Sequence, residues 1–188
     1  MNSYIDTEFT QADINDKLKQ GEYENCVFKN IVFANLDLSA YKFIDCHFKS
    51  CDISHVRMDR TVLNRCEFEG CKIMGTRFDR CENLLLEFRF KDCILDHSTF
   101  FQLKIKQTSF IDCSLKGVDF SACDLSSAKF ENCNLEHATF DQTNLERADF
   151  STAYNYNLDP AQNKIKKAVF SSDGLIGLLN KYDIKLKS

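Results

Sequence analysis

Large apolar residues recur at every fifth position along most of the chain, and polar residues fill most of the positions between them. Phenylalanine marks the pattern at Phe28, Phe48, Phe68, Phe90, Phe110, Phe130 and Phe150. The position rises by twenty at every step except from Phe68 to Phe90, where it rises by twenty-two. An amphipathic helix needs apolar residues at i, i+3, i+4 and i+7, and a half-buried strand needs strict alternation. A period of five instead predicts short extended segments separated by corners, with four segments in each coil.

The period sorts the apolar centres into four columns, one for each side of the coil. The first is the phenylalanine column above. The second, third and fourth columns are Phe33, Ile53, Ile73, Leu95, Leu115 and Leu135; Leu38, Met58, Phe78, Phe100, Phe120 and Phe140; and Phe43, Leu63, Leu85, Ile105, Leu125 and Leu145. The one longer step, from Phe68 to Phe90, predicts a two-residue bulge near residues 80–84, after which the coil continues.

A fixed short period is the sequence signature of a solenoid. Segments such as Ala128-Lys129-Phe130-Glu131-Asn132 state the motif, with a small residue two positions before the large centre. The motif resembles that of the pentapeptide-repeat family, whose fold is an all-β, right-handed, quadrilateral β-helix. The resemblance covers roughly residues 23–152 and implies about six to seven coils, a rod about 30 Å long at about 4.8 Å per coil.

The two ends depart from the motif and are expected to cap the rod, because a solenoid end exposes unpaired backbone. Residues 1–22 are expected to form an N-terminal cap in which Ile5, Phe9, Ile14 and Leu18 close the first coil. Residues 153–188 are expected to supply a linker, a short α-helix and a strand.

The C-terminal helix is expected to begin at Ser172, a favourable N-cap residue. Ile184 and Leu186 alternate with lysines and predict the strand. The candidate capping or dimer-forming side chains are Leu175, Ile176, Leu178, Leu179, Tyr182, Ile184 and Leu186.

Ten cysteines could indicate disulfides or a metal site. The register instead places them at the small inward position, where a free cysteine acts as a small hydrophobe. Corrected for the bulge, five form one vertical stack: Cys51, Cys71, Cys93, Cys113 and Cys133. The other five are Cys26, Cys46, Cys66, Cys81 and Cys123. No CxxC pair occurs, so a structural zinc site is not expected.

The histidines follow the same logic. His55, His97 and His137 share one corner column, with Gly75 and Gly117 on the coils between them. Neighbouring histidines are then about 10 Å apart, too far to share a metal at about 2.0–2.1 Å per nitrogen. Neither metal nor cofactor is expected.

Enzyme motifs are absent: the chain has no GxSxG, HExxH, P-loop or GxGxxG sequence. A filled rod with flat walls offers no obvious pocket for convergent catalytic groups, so a non-enzymatic protein with no catalytic residues is expected. No apolar run of membrane-spanning length occurs, and no basic segment followed by an apolar stretch opens the chain. The expected location is the cytoplasm, without membrane contact.

The net charge of −4 hides an uneven distribution. Charges balance from Gly21 to Lys106, whereas positions 107–150 carry three bases and eight acids: Asp112, Asp119, Asp124, Glu131, Glu136, Asp141, Glu146 and Asp149. These eight are the candidate acidic binding face. Such a surface disfavours direct binding to nucleic-acid phosphate and suits a protein with a basic groove. A solvated acidic surface without a partner is the alternative.

The repeat, the tail from Leu175 to Leu186 and the acidity near that tail together resemble the Qnr and MfpA type of quinolone-resistance pentapeptide protein. That resemblance implies a homodimer joined through the C-terminus. It also implies an acidic rod that mimics DNA and binds DNA gyrase or topoisomerase IV. The Qnr branch carries long projecting loops where this chain has only a two-residue bulge. The sequence therefore leaves two hypotheses for the function. The first is a protein-binding rod with an unidentified partner, and the alternative is a topoisomerase-binding DNA mimic that reduces quinolone susceptibility.

Overall fold

The chain winds into a β-solenoid of about eight turns. The computed structural model describes residues 2–14, 18–84 and 86–184. It confirms the predicted all-β quadrilateral β-helix with a short C-terminal helix. The turn count exceeds the predicted six to seven because strands also form on both sides of residues 23–152. We name the four sides of the rod the first to fourth faces, after the four columns of apolar centres.

Two parallel sheets cover two of the faces. The first face is a nine-stranded sheet of β2 (Glu8–Phe9), β4 (Val27–Lys29), β6 (His47–Lys49), β8 (Cys66–Glu69), β9 (Phe88–Lys91), β10 (Ser109–Ile111), β11 (Lys129–Glu131), β12 (Asp149–Phe150) and β13 (Val169–Phe170). The fourth face begins with a four-stranded sheet of β1 (Asn2–Ile5), β3 (Gly21–Glu24), β5 (Lys42–Ile44) and β7 (Val62–Asn64). Single bridges join the coils elsewhere, as in the series Thr99, Asp119 and Thr139.

Stacked aromatic rings fill the core beneath the first face. Phe110 is fully buried, and its ring centroid lies 5.3 Å from that of Phe90 and 5.2 Å from that of Phe130. The planes of these pairs differ by 6° and 4°. Because paired strands lie about 4.8 Å apart, one inward phenylalanine on each coil meets the ring above and below it in a stacked arrangement, which favours association between aromatic side chains.

The corners are made by residues in the left-handed backbone region, usually at the last position of the five-residue motif. They include His55, His97 and His137 at φ of 55°, 60° and 58°. Gly75 and Gly117 occupy the same corner at φ of 61° and 62°. Each corner turns the chain so that the next centre again faces inward. This confirms that the histidines are corner residues.

The two extra residues lie close to the position that the sequence predicts. The amide of Glu82 still bonds the carbonyl of Thr61, whereas Cys66 already pairs with Phe88, two positions beyond the regular step. The insertion therefore lies between Glu82 and Glu87, on the fourth face, in a span that overlaps the predicted 80–84. Leu85, the expected fourth-column centre, lies outside the described residues.

Phe88 fills a position that elsewhere holds a small side chain. It is 1% exposed, and its ring lies 5.5 Å from Phe78 and 5.2 Å from Phe90. The segment Phe88-Arg89-Phe90 places two large residues where the motif has one small and one large. The two-residue insertion lies directly before this segment.

The N-terminal segment adds strands to the solenoid. β1 pairs with β3, β2 pairs with β4, and the short helix α1 (Gln11–Ile14) follows. Phe9, Ile14 and Leu18 are buried as predicted, but Ile5 is 57% exposed and does not close the coil. Because Phe9 pairs with Phe28, this coil is one residue short of the repeat.

The C-terminal segment adds a coil and then a helix. β13 extends the first face, and Phe170 stacks on Phe150 at 5.3 Å. The helical segment consists of a 3₁₀ turn (Asp173–Leu175), α2 (Ile176–Leu179) and a second 3₁₀ turn (Asn180–Tyr182).

Ser172 lies at the N-cap position of the first 3₁₀ turn, as predicted, but its side chain does not form the expected cap. Ser172 has helical backbone angles and makes no capping bond, and the hydroxyl of Ser171 accepts from the amide of Gly174 instead at 3.1 Å. Ile184 is not in a strand, and Leu186 lies outside the described residues.

Candidate protein-binding surface

The cysteines form core rather than a reactive site. All ten are free and buried. The Sγ–H of Cys71 donates to the carbonyl of Phe48 at 3.3 Å, and that of Cys46 donates to the carbonyl of Tyr23 at 3.2 Å. Burial raises the pKa of the Cys46 thiol to about 12. Because thiolate is the nucleophile and the metal ligand, the raised pKa disfavours both roles for Cys46. The predicted packing role is confirmed.

A second cysteine stack escaped the sequence reasoning. Cys26, Cys46 and Cys66 lie two residues before Phe28, Phe48 and Phe68 and therefore stack beneath the first face. The column registers contain the information needed to find it. No group of three or more histidine, cysteine or carboxylate side chains among the described residues could hold a metal ion.

The eight acids of residues 107–150 do not share one face. The registers place Asp119 and Asp141 on the third face, Asp124 and Glu146 on the fourth, Glu131 and Asp149 on the first, Glu136 on the second, and Asp112 at a corner. The sequence interval is acidic, but winding distributes its carboxylates around the rod. A binding surface must therefore be sought face by face.

Two of the eight carboxylates are paired with lysines. Asp124 lies 3.3 Å from Lys106, and Glu136 lies 3.3 Å from Lys116. Partial burial acts to raise the pKa of Asp124, but hydrogen bonds from Ser126 and the charge of Lys106 outweigh it and leave the pKa lowered. These two acids contribute little net negative charge to their surroundings.

The third face changes character along the rod. In its N-terminal half, arginines neutralise the acids: Arg57 lies 2.9 Å from Asp59, and Arg77 lies 2.6 Å from Asp79. In its C-terminal half, Asp119 and Asp141 form no ion pair within the described part of the chain. Asp119 accepts a hydrogen bond from the amide of Ser121 at 2.9 Å, which fixes the carboxylate at the surface.

An exposed aromatic ring precedes these two acids on the same face. Phe101 is 41% exposed, and Leu84 near the two-residue insertion is 73% exposed. Thr99, Asp119 and Thr139 are bridged neighbours on successive coils. We define the acidic third face as Thr99, Phe101, Asp119, Ser121, Thr139 and Asp141.

The C-terminal cap divides its apolar residues between core and solvent. Leu178 packs against the core, and buried Gly177 accepts a hydrogen bond from the amide of Leu158 at 3.1 Å. Leu179 is partly buried. The candidate cap residues with the most exposed surface are Leu175, Ile176, Tyr182 and Ile184, at 47%, 55%, 57% and 54%. The helical segment therefore caps the rod with one side and presents apolar surface on another.

The C-terminal cap also contains an ion pair and a groove. Lys181 bonds Asp159 at 2.5 Å, which ties the last 3₁₀ turn to the preceding coil. A groove of about 870 Å³ lies between that coil and α2, with Tyr154, Tyr156, Asp173 and Ile176 among its lining residues.

The bases of the C-terminal half gather along one edge, which the sequence reasoning missed. Lys104 and Lys164 lie on the fourth face, Arg147 and Lys167 occupy the corner toward the first face, and the adjoining positions carry more lysines. We define the basic edge as Lys104, Lys129, Arg147, Lys164, Lys166 and Lys167, all of which are exposed.

This fold defines a β-solenoid repeat protein. The family model described as "Pentapeptide repeats (8 copies)" matches residues 42–80, and that described as "Pentapeptide repeat region" matches residues 76–153. The chain belongs to the pentapeptide-repeat family. No curated protein matches it by sequence.

The structure is similar to solved structures of QnrB1, a plasmid-mediated fluoroquinolone resistance protein. Full-length QnrB1 is 15% identical with a TM-score of 0.65 and 97% coverage of both chains. A trypsin-treated QnrB1 variant is also 15% identical with a TM-score of 0.65, and 98% of this chain and 97% of that one are covered. The likeness concerns the fold. Among the described residues, no helix is long and apolar enough to cross a membrane.

Proposed function

We propose that this protein is a non-enzymatic binding protein whose acidic third face docks onto a basic surface of another protein. The single observation that carries the proposal is that Asp119 and Asp141 form no ion pair among the described residues, on a face whose earlier acids are neutralised by arginine. Unneutralised surface charge accelerates encounter with an oppositely charged partner. Exposed Phe101 supplies an aromatic contact of the kind enriched in binding hot spots.

The test compares two charge-matched variants of the full chain. The double variant Asp119→Lys with Asp141→Lys reverses two acids of the acidic third face. The double variant Asp37→Lys with Asp59→Lys makes the same charge change in the N-terminal half of that face, where both acids pair with Arg57 at 3.4 and 2.9 Å. Proteins captured from a lysate by the unchanged chain should be lost with the first variant and kept with the second. Equal capture by all three chains would contradict the acidic third face as the docking site.

The second candidate partner is a type II topoisomerase. It is favoured by the likeness to QnrB1 over nearly the whole chain, including the C-terminal cap. In this function the rod occupies the place of DNA on gyrase or topoisomerase IV, because its acids imitate phosphate charge, and reduces quinolone susceptibility.

A gyrase supercoiling assay with a fluoroquinolone tests this candidate. The unchanged chain should inhibit or protect the enzyme, and the Asp119 and Asp141 double reversal should not. Absence of inhibition, protection and binding at micromolar protein would remove the topoisomerase function and leave the broader binding function standing.

Homodimerisation through the C-terminal cap belongs to the same proposal. Leu175, Ile176, Tyr182 and Ile184 expose apolar surface beside one another in sequence, and a second copy would bury it. Ten free buried thiols suit a reducing compartment such as the cytoplasm.

A further inference from the structure

The C-terminal half of the rod separates its charges in a way that the amino-acid order conceals. Residues 107–150 are acidic as a stretch, yet winding places Lys104, Lys129 and Arg147 along one longitudinal edge. The next coil adds Lys164, Lys166 and Lys167 to that edge. Because the third face is a different side of the rod, positive and negative surfaces coexist on the same coils.

The register fixes the geometry of the basic edge. Lys104, Asp124, Asn144 and Lys164 follow one another through parallel bridges, so Lys104 and Lys164 are three coils, or about 14 Å, apart. The amide of Arg147 donates to the carbonyl of Lys166, which places Lys167 on the coil directly beyond Arg147. The basic side chains thus lie in a band parallel to the rod axis, which spans the fourth face, the corner and the adjoining edge of the first face. Asp124 and Asn144 lie between Lys104 and Lys164 in this band.

These bases are available to a ligand. All six members are exposed, and none forms an ion pair with a carboxylate among residues 2–14, 18–84 and 86–184. Three acids lie among them. Asp124 is already paired with Lys106, Asp149 accepts from the amide of Ser151 at 2.9 Å, and Glu146 is exposed. Hydrogen bonds from Ser151 lower the pKa of the Asp149 carboxyl, and the nearby charge of Lys129 lowers it further. The six bases still outnumber the unpaired acids.

We infer that the basic edge is a binding surface for the phosphate backbone of a nucleic acid. Lysine acts on phosphate as a point charge, and a band of such charges along a straight rod suits a linear polyanion. Since contacts to the backbone carry no sequence information, binding by this edge is independent of base sequence. The negative net charge of the protein opposes it, so the affinity is weak and strongly dependent on salt.

The inference does not depend on the protein partner proposed above. It departs from the expectation, drawn from the acidic stretch, that the chain does not bind nucleic acid directly. A protein that uses both surfaces contacts a basic partner with its acidic third face and a neighbouring nucleic acid with its basic edge.

Fluorescence anisotropy with a labelled duplex of about 30 base pairs tests the inference in NaCl from about 20 to 200 mM. The full chain should bind at low salt and lose affinity steadily as salt rises. The variant Lys164→Gln, Lys166→Gln, Lys167→Gln should bind about tenfold more weakly or worse, with a salt slope smaller by about one for each lysine removed.

The matched control is Lys29→Gln, Lys42→Gln, Lys72→Gln, which removes the same total charge from the N-terminal half. It should bind like the unchanged chain. Absence of binding at the lowest salt, or equal weakening by the two triple variants, would overturn the inference. A labelled polyglutamate of equal charge is the last arm: binding as tight as that of the duplex would assign the edge to acidic proteins and would also overturn it.

Discussion

The imidazole of His55 lies directly over Gly75 on the next coil. A Cβ placed on Gly75 would stand 2.5 Å from Nδ1 of His55, and a Cβ on Gly117 would stand 2.7 Å from Nδ1 of His97. The alternation of histidine and glycine along this corner is therefore a packing relationship: the ring on one coil occupies the space left by the missing side chain on the next.

This relationship predicts that Gly75→Ala destabilises the rod more than the same change at Gly70. Both glycines have φ near +60°, which costs alanine about 1 kcal/mol. Only Gly75 has a ring in the way, because the nearest atom to a Cβ at Gly70 is Ser50 Oγ at 3.5 Å. Overpacking should add about 1–3 kcal/mol, measured as the difference in urea unfolding free energy between the two variants.

The proposed cause can be isolated with a second substitution. Adding His55→Ala to Gly75→Ala should recover the steric part and leave the variant close to Gly70→Ala. If the two glycine variants are equally stable, the imidazole does not constrain this corner.

The phenylalanine stack predicts a large penalty at its centre. Phe110→Ala should lower the unfolding free energy by about 3–5 kcal/mol, because it removes a fully buried ring from contact with Phe90 and Phe130. Phe101→Ala, at a 41% exposed position, serves as the control and should change stability by less than about 1 kcal/mol. Equal losses of unfolding free energy for Phe110→Ala and Phe101→Ala in chemical denaturation would contradict the conclusion that the phenylalanine stack stabilises the core.

The buried thiols predict a loss of stability in alkali. Burial raises the pKa of Cys123 from 9.0 to about 12 in the folded protein. The folded state therefore favours the neutral thiol, and its stabilising effect is complete below pH 9 and lost as the pH rises toward 12. In that interval Cys123 should contribute about 1.4 kcal/mol of lost stability per pH unit.

Urea unfolding between pH 8 and 11 measures this effect. Cys123→Ala removes one titrating group and should flatten the decline relative to the unchanged chain. Cys46, whose pKa is also raised to about 12 by burial, allows the same comparison beneath the first face. Identical pH profiles for the chain and both alanine variants would exclude the thiols as the cause.

The exposed side of the cap predicts a dimer that two substitutions dissociate. Leu175→Asp with Ile176→Asp places charge on side chains that are 47% and 55% exposed, so the fold should persist while a dimer separates. Light scattering should then report half the mass of the unchanged chain. Glu22→Ala on the rod is the surface control and should leave the mass unchanged. A monomeric unchanged chain would refute the dimer.

Periodicity was sufficient for the repeated part of the molecule. The columns located the phenylalanine core, the inward cysteines and the histidine corner, because each depends only on a position within the five-residue motif. The ends were less predictable. The first coil, from Phe9 to Phe28, is one residue shorter than the others, so a strict repeat misses its strands.

The last coil was not predicted from the sequence, because a polar residue with hydrogen-bond partners occupies one of its inward positions. Asn163 is buried at an inward position, where its amide nitrogen donates to the carbonyl of Phe140 and its oxygen accepts from the amide of Thr143, both at 2.9 Å. A polar side chain fits because the neighbouring backbone supplies partners. The fading of the apolar motif therefore did not indicate the end of the solenoid.

The candidate surfaces needed the fold because neighbours along the chain diverge in space. Asp119 and Asp124 are separated by a single motif and lie on different faces, whereas Arg147 and Lys167 are a full coil apart in sequence and adjacent in space. The column registers could have separated the acids by face. Pairing of Asp124 with Lys106 and exposure of Ile176 instead depend on side-chain positions that no repeat specifies.

Because each coil pairs only with its neighbours, the length of the molecule increases by one fixed step with every coil. Each strand bonds only the coil before and the coil after it, and the two extra residues near Leu84 alter one side of one coil without disturbing the Phe68–Phe90 pairing. Removing one complete coil would bring the acidic third face about 4.8 Å closer to an N-terminal landmark. The number of coils therefore sets the distances between surfaces on the rod. Insertions at corners or sides can change the surface of a single coil without changing those distances.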